Sequence, residues 1–240
     1  SSDLNLFREF SKIISKLLST SIIPLLPVYI FGTFMNMTYS GQIFATLSIF
    51  LKVFICVIIL HILYTAGLFI FAGGLSGKNP FVCMKNQIPG YFTALGTQSS
   101  AATIPINIEC AKRNGTSPEI REFVVPLCAT IHLAGSIITI TSCVVTVLMM
   151  HSMSYGISTI FPFIMVLGVA MVAAPGAPGG AIMSALPFLG MVGIASSSPM
   201  ASLLIALYIT QDSFGTAANV SGDNAIAIIV DWIYHKFIKK

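Results

Sequence analysis

Long apolar runs dominate the chain, and the places where they are interrupted define its elements. Residues 10–35 form a first run, led in by Arg8, Lys12 and Lys16 and carrying Pro24 and Pro27. Such prolines kink a helix whose freed carbonyls neighbouring helices can satisfy. After the polar turn "NMTYSGQ", residues 43–72 predict one long helix that can cross a bilayer with tilt. Its one charge, Lys52, can snorkel to the interface. From residue 80 the pattern changes. Residues 80–112 predict two short helical arms around the polar tip "GTQSSAATIP", each shorter than the ~20 residues a span needs. A third apolar run, 123–150, is interrupted by "CATIHLAGS". Two more short arms follow over 157–193 around "AAPGAPGGAIM", then the linker "SSSPM" and a final helix over 201–237. Hairpin and interrupted helix therefore occur twice, alike in pattern and not in residues.

Composition places this pattern in a membrane. Mean hydropathy is +0.90, charged residues are 8% of the 240, and no Asp, Glu, Lys or Arg lies between Glu122 and Asp212. A soluble domain does not keep so long a segment from water, whereas a bilayer-embedded one does. The opening "SSDLNLFREFSKII" shows no apolar stretch with a small-residue cleavage site, so no signal peptide is expected. Five cysteines at irregular spacings, without a CxxC pair, read as small buried hydrophobes.

The basic residues report topology. Arg8, Lys12 and Lys16 precede the first helix, and Lys78 and Lys85 follow the second. Lys112, Arg113 and Arg121 lie between the first hairpin and the third run, and Lys236, Lys239 and Lys240 end the sequence. All fall on one side, cytoplasmic by the positive-inside rule, only if each hairpin returns to the side it entered from. Two re-entrant hairpins of opposite orientation, an inverted repeat, are the expectation. The expected fold class is an all-α membrane protein of the plasma (inner) membrane, multi-pass, with a cytoplasmic C-terminus.

The stretch "LYITQDSFGTAANVSGDNAIAIIVD" carries the candidate chemistry. Asp212, Thr216, Asn219 and Asp223 are spaced 4, 3 and 4 apart, which places them on one helix face. A carboxylate in the bilayer core costs several kcal/mol unless paired, hydrated or protonated. No Lys or Arg in the neighbouring segments offers a partner, so a ligand or ion role is expected. An aspartyl protease needs its carboxylates on facing helices, and "VSGD" lacks the first glycine of a GxGD signature. Ser99 or Ser100 with His132 lacks a nucleophile setting and an orienting carboxylate. The chain therefore does not read as an enzyme, and no basic-aromatic patch points to nucleic acid.

In order, "TQSSAATIP", "PLCATIHLAGS", "GAPGGAIM" and "DSFGTAANVSGD" resemble the core motifs of the dicarboxylate/amino acid:cation symporters, from about residue 8 to 237. The resemblance implies that residues 1–40 form the last scaffold-type transmembrane helix with an amphipathic lead-in. Residues 41–240 would be the transport core. It implies that Asp212 receives the substrate's α-ammonium, Asn219 its α-carboxylate, and that Thr216 lines the side-chain pocket. Ser99, Ser100 and the backbone of Gly176, Ala177 and Gly179 would close around the substrate. Asp223 would bind sodium beside main-chain carbonyls of Asn219, Cys128 and His132, with a second sodium near Thr130 and the second tip. Independent chemistry agrees: a carboxylate suits an ammonium in a dry site, half-helix N-termini suit a carboxylate, and hard cations take oxygens. The amino acid, one or two sodium ions and the bilayer are the implied partners, with a homotrimer if scaffold helices are supplied.

The departures sharpen this. Acidic-substrate carriers have an arginine where this chain has Gly215, so a buried substrate carboxylate would lack its guanidinium. A neutral amino acid is expected, and glycine is expected to leave room for a larger side chain. Cystine or another bulky amino acid is the alternative. Where the family places a sodium-binding asparagine and aspartate, this chain has His132 and Ala134, so a third sodium site is not expected. Two readings of His132 stay open: a packed ring with both nitrogens satisfied, or a titrating one that makes the carrier partly proton-coupled. Family members carry about four further helices ahead of the first one here. A truncated, non-transporting remnant is therefore a second alternative to an elevator-type carrier gated by the second hairpin.

Overall fold

The computed structural model describes residues 43–238 continuously, and scattered positions between 13 and 39. The first helix expected over 10–35 lies largely outside the described residues. The chain divides into two compact units, residues 1–50 and 51–240. In the first, the described residues include a 3-10 turn at Ile23–Leu25 and outward-facing Leu25, Val28, Phe31 and Tyr39. Everything below concerns the second unit, apart from the opening turns of α1.

Described residues outside short turns and tips are helical, with no strand among them. Helix α1 spans Ile43–Ser76 and ends at Gly77, whose φ of +74° lets its N–H turn back to Gly73 O at 2.9 Å. Asn79 then caps α2, Pro80–Thr97, accepting from the N–H groups of Phe81 and Val82, with Pro80 at the first helical position. A tight tip at Gln98 and Ser99 leads into α3, Ser100–Arg113, where Ser99 Oγ accepts from Ala102 N. The two helices pack as a hairpin. Helix α4, Pro118–Ile131, and α5, Ala134–Met150, are separated only by His132 and Leu133. Helix α6, Ile157–Ala170, tightens into a 3-10 turn, Met171–Ala173. Past the tip come α7, Gly180–Ala185, and a 3-10 stretch, Leu186–Val192, closed by Gly193 at φ +78°. Helices α8, Pro199–Ile209, and α9, Asp212–Ile233, break at Thr210 and Gln211.

The surface of α1 is apolar where that of a soluble helix is polar. Leu51, Ile55, Ile59, Ile62, Leu63, Ile70 and Phe71 of α1 face outward, while its His61 is buried. Two described helical stretches, Leu47–Ser76 and Pro118–Met150, are long and apolar enough to cross a membrane. Helix α9 forms the centre, packed against α2, α3, α4 and α5. Ala217, Ala218, Gly222, Ala225 and Ala227 line it, small residues that let helix backbones approach closely in a bilayer. The five cysteines are unpaired and four are buried.

An amide ladder ties the first hairpin to this centre. Asn224 Nδ2 donates to Gln87 Oε1, and Gln87 Nε2 donates to Asn107 Oδ1 at 2.9 Å. Asn107 Nδ2 donates to Val220 O at 2.9 Å, and Asn114 Nδ2 donates to Asn224 Oδ1 at 3.2 Å. All four side chains are buried, so each bond replaces one that water cannot supply. Gly90 leaves the space that the Gln87 amide occupies.

Candidate functional site

Asp212 opens α9, just past the break, where the unsatisfied N–H groups of a helix N-terminus favour negative charge. Its buried carboxylate accepts from Gly179 N at 2.7 Å and from the Tyr208 hydroxyl at 2.6 Å. Gly179 sits at the second tip with φ +73°, a left-handed conformation that aims its N–H at the carboxylate at no cost to glycine. Thr216 Oγ1 turns back onto Asp212 O at 2.9 Å. Ser99 Oγ donates to Gly176 O at 2.6 Å, so the two hairpin tips touch. Ala177 O accepts from Gly180 N inside the second tip, and Ser100 is buried in the first turn of α3.

Asn219 spans α9 and the start of α5. Its Oδ1 accepts from Gly135 N at 2.7 Å and Ser136 N at 3.3 Å, and its Nδ2 donates to Ser136 Oγ at 3.0 Å. This side chain caps α5, whose N-cap Leu133 has no side-chain acceptor to offer. That bond uses one of the two hydrogens of the amide nitrogen.

Asp223 is fully buried. Its Oδ1 lies 2.8 Å from His132 Nδ1, and the other ring nitrogen lies 2.7 Å from the Tyr64 hydroxyl. Both His132 nitrogens are thus satisfied, and its ring stacks on Tyr64. The ring lies against Gly222, where a Cβ would collide with its Cε1. Asp223 Oδ2 has no hydrogen-bond partner. A buried carboxylate oxygen left open is unusual and is the natural ligand for a hard cation. Cys128 is buried, and its carbonyl accepts from His132 N at 2.8 Å. Thr130 is exposed, with Oγ1 on Leu127 O. Among the described residues no group of three His, Cys, Asp or Glu could hold a metal, so any cation here is held by one carboxylate and neutral oxygens.

Gly215 lies beside another helix. A Cβ there would lie 3.2 Å from Thr139 Oγ1 and 3.5 Å from the Gly135 backbone. Position 215 faces α5 at a close helix crossing, where an added Cβ fits only if Thr139 yields by a few tenths of an ångström. The crossing itself demands small residues: a Cβ on Gly135 would run into Gly215 O and lie 2.8 Å from Ala218 Cβ.

The sequence reading missed Tyr208, Ser136, Tyr64 and His61. Tyr208 lies four residues before Asp212, a spacing that a continuous helix would bring together, but the apolar run "LIALYIT" hid its hydroxyl. His61 reaches Gly135 O at 3.0 Å and Thr139 Oγ1 at 3.2 Å from α1, contacts that no local pattern announces.

Comparison with known proteins decides the family. The profile of the Sodium:dicarboxylate symporter family matches residues 2–233. This chain belongs to that family. It is 31% identical to the Serine/threonine transporter SstT of Acinetobacter baumannii (strain SDF) over 220 residues, 88% of this chain and 53% of the relative. It is 32% identical to the Acinetobacter baylyi protein of the same name over 160 residues, 64% of this chain and 39% of the relative. Excitatory amino acid transporter 1 of Rattus norvegicus is 27% identical over 209 residues, 87% of this chain and 38% of its own length. The chain thus spans about half the length, or less, of the curated relatives it matches. These relatives are named as transporters and not as enzymes.

Proposed function

We propose that this chain serves sodium-coupled symport of a small neutral amino acid. The observation that carries the reading is the Asp212 carboxylate, buried at a helix start between the Gly179 N–H and the Tyr208 hydroxyl. An α-ammonium brings two or three N–H donors to the same oxygens, so substrate binding exchanges the hairpin's hold on Asp212 for the ligand's. The free amide hydrogen of Asn219 is the partner for the α-carboxylate, and Ser99, Ser100 and the backbone of Gly176, Ala177 and Gly179 close the tips around it. Asp223 Oδ2 is the sodium ligand, with main-chain oxygens of Cys128, His132 and Asn219 beside it, and Thr130 near a second ion. Position 215 offers no cation for a second substrate carboxylate, which favours neutral substrates. Relatives named for serine and threonine favour small ones.

The same reading makes both hairpins re-entrant and opposite in orientation, with residues 41–240 as the moving transport core of an elevator. The second hairpin is its gate, the C-terminus is cytoplasmic in the plasma (inner) membrane, and the assembly is a homotrimer where scaffold helices are supplied.

Thermal stabilisation of the purified chain by a panel of amino acids, in sodium or in choline at two pH values, tests this. A small neutral amino acid should stabilise, more so in sodium. Asp212→Asn should weaken that binding by on the order of a hundredfold. Unchanged binding in the variant sinks the ammonium assignment. A pH-linked stabilisation independent of sodium would move the coupling ion from sodium to a proton.

A further inference from the structure

A second site lies far along α9 from Asp212, where the helix ends. A cavity of about 350 Å³ is lined by Ser76, Lys78, Asp231, Trp232, His235 and Lys236, and floored by Ile228. It sits between the end of α1, the turn into α2 and the π-helical turn Tyr234–Ile238 that follows α9. We infer that this cavity binds the phosphate headgroup of an anionic phospholipid, held by Lys78 and Lys236 with Trp232 and its apolar surroundings seating the lipid.

Four observations support this. First, the two lysines reach the cavity from elements distant in sequence, so the positive site exists only in the folded chain. Lys78 is held in place: its Nζ donates to Asn114 O at 2.6 Å and Gly115 O at 3.0 Å, leaving one hydrogen for an anion. Second, Lys236 is paired with no carboxylate among the described residues, and its Nζ sits 4.5 Å from the Trp232 ring centre. A lysine resting on an indole at the end of a membrane helix marks the headgroup level, where aromatic side chains and snorkelling cations gather. Third, Asp231, the one carboxylate in the lining, is already engaged. Its Oδ1 accepts from Ser117 N at 3.0 Å and from Ser117 Oγ, with His235 Nδ1 3.7 Å away. The two lysines therefore set the sign of the site. Fourth, the flanking surface is apolar and outward-facing: Phe71, Phe81, Ile233, Phe237 and Ile238 are all exposed. Acyl chains cover such a surface, whereas a soluble phosphate would leave it bare. Basic pockets between membrane helices take lipid headgroups by this combination.

The test uses the full chain in nanodiscs of phosphatidylcholine, with or without phosphatidylglycerol, followed by native mass spectrometry and thermal unfolding. Phosphatidylglycerol should be retained in preference to phosphatidylcholine and should raise the unfolding temperature. Lys236→Glu, at an exposed position that tolerates change, should weaken that retention by on the order of tenfold. Lys52→Gln, remote from the cavity, should leave it unchanged. Equal retention of the two lipids, or equal losses in the two variants, overturns the site. Full stabilisation by free glycerol phosphate in phosphatidylcholine discs overturns the lipid as its source. None of these readouts involves an amino acid, so failure here leaves the symport reading where it stood.

Discussion

The two hairpins are alike in plan and opposite in how they are held. In the first, α2 and α3 are joined to α9 along their length by Gln87, Asn107, Asn114 and Asn224, all buried and hydrogen-bonded to one another or to backbone. Even its tip is capped, Ser99 accepting from Ala102 N. In the second, α6 and α7 are short, interrupted by 3-10 turns, and packed through apolar side chains such as Phe163, Leu167, Ile182 and Leu189. Its hydrogen bonds to other elements sit at the tip, Gly176 O with Ser99 and Gly179 N with Asp212. Both involve groups assigned above to the substrate. A polar ladder in a bilayer locks two elements in one register, because every alternative leaves amides unsatisfied. Apolar packing there discriminates less, since lipid tails are as apolar as the partner. The first hairpin is thus tied to α9 through buried amides, and the second meets other elements through hydrogen bonds at its tip, as the gate proposed above requires.

Hydrogen exchange in nanodiscs measures this difference directly. Amides of residues 174–193 should exchange faster than those of 85–110, and equal protection would break the comparison. Mutations sharpen it, in order of expected size. Asn224→Leu strands Gln87 Oε1, leaves Asn114 Nδ2 with Cys83 O alone, and should cost about 2–3 kcal/mol in thermal unfolding. Its loss of protection should be confined to the first hairpin; loosening of the second by as much would mean the ladder is not local. Gly179→Ala forces a side chain into φ +73° and should cost about 1–2 kcal/mol. It should raise exchange at the second tip and weaken amino acid binding, while residues 85–110 stay protected. Ser99→Ala removes the tip-to-tip bond and the cap on α3 together and should cost only about 1 kcal/mol. Its signature is a faster opening of residues 174–180 and of the first turn of α3, with the amide ladder of the first hairpin unchanged. A Ser99→Ala effect larger than that of Asn224→Leu would reverse the assignment of core and gate.

Part of this is legible in the sequence itself. The charge-free stretch from 123 to 211 and the outward-facing apolar residues of α1 express one constraint, that a bilayer replaces water around the helices. The helical class follows, since helices satisfy their own backbone. The spacing of Asp212, Thr216, Asn219 and Asp223 is local, and on α9 all four are buried. Other features were beyond local reading. Gly215 looked like a vacancy, yet it is a contact point, because only the approach of α5 says what a missing side chain faces. Asn219 looked like a ligand group, and in the fold it also caps α5, whose N-cap Leu133 offers no acceptor.

What the residues determined alone was therefore the solvent of the chain, its helices, the family motifs and which side chains are too polar to be accidental. These depend on neighbours within a turn or two and on transfer from water to lipid. Only the tertiary structure decided what each polar group spends its bonds on: Asp212 on the second tip and Tyr208, Asn219 on the start of α5, Asp223 on His132 with one oxygen left over. The reason is physical. A hydrogen bond inside a membrane is set by which donor arrives within 3 Å, and here the donors arrive from residues 33 to 91 positions away as well as from the next turn.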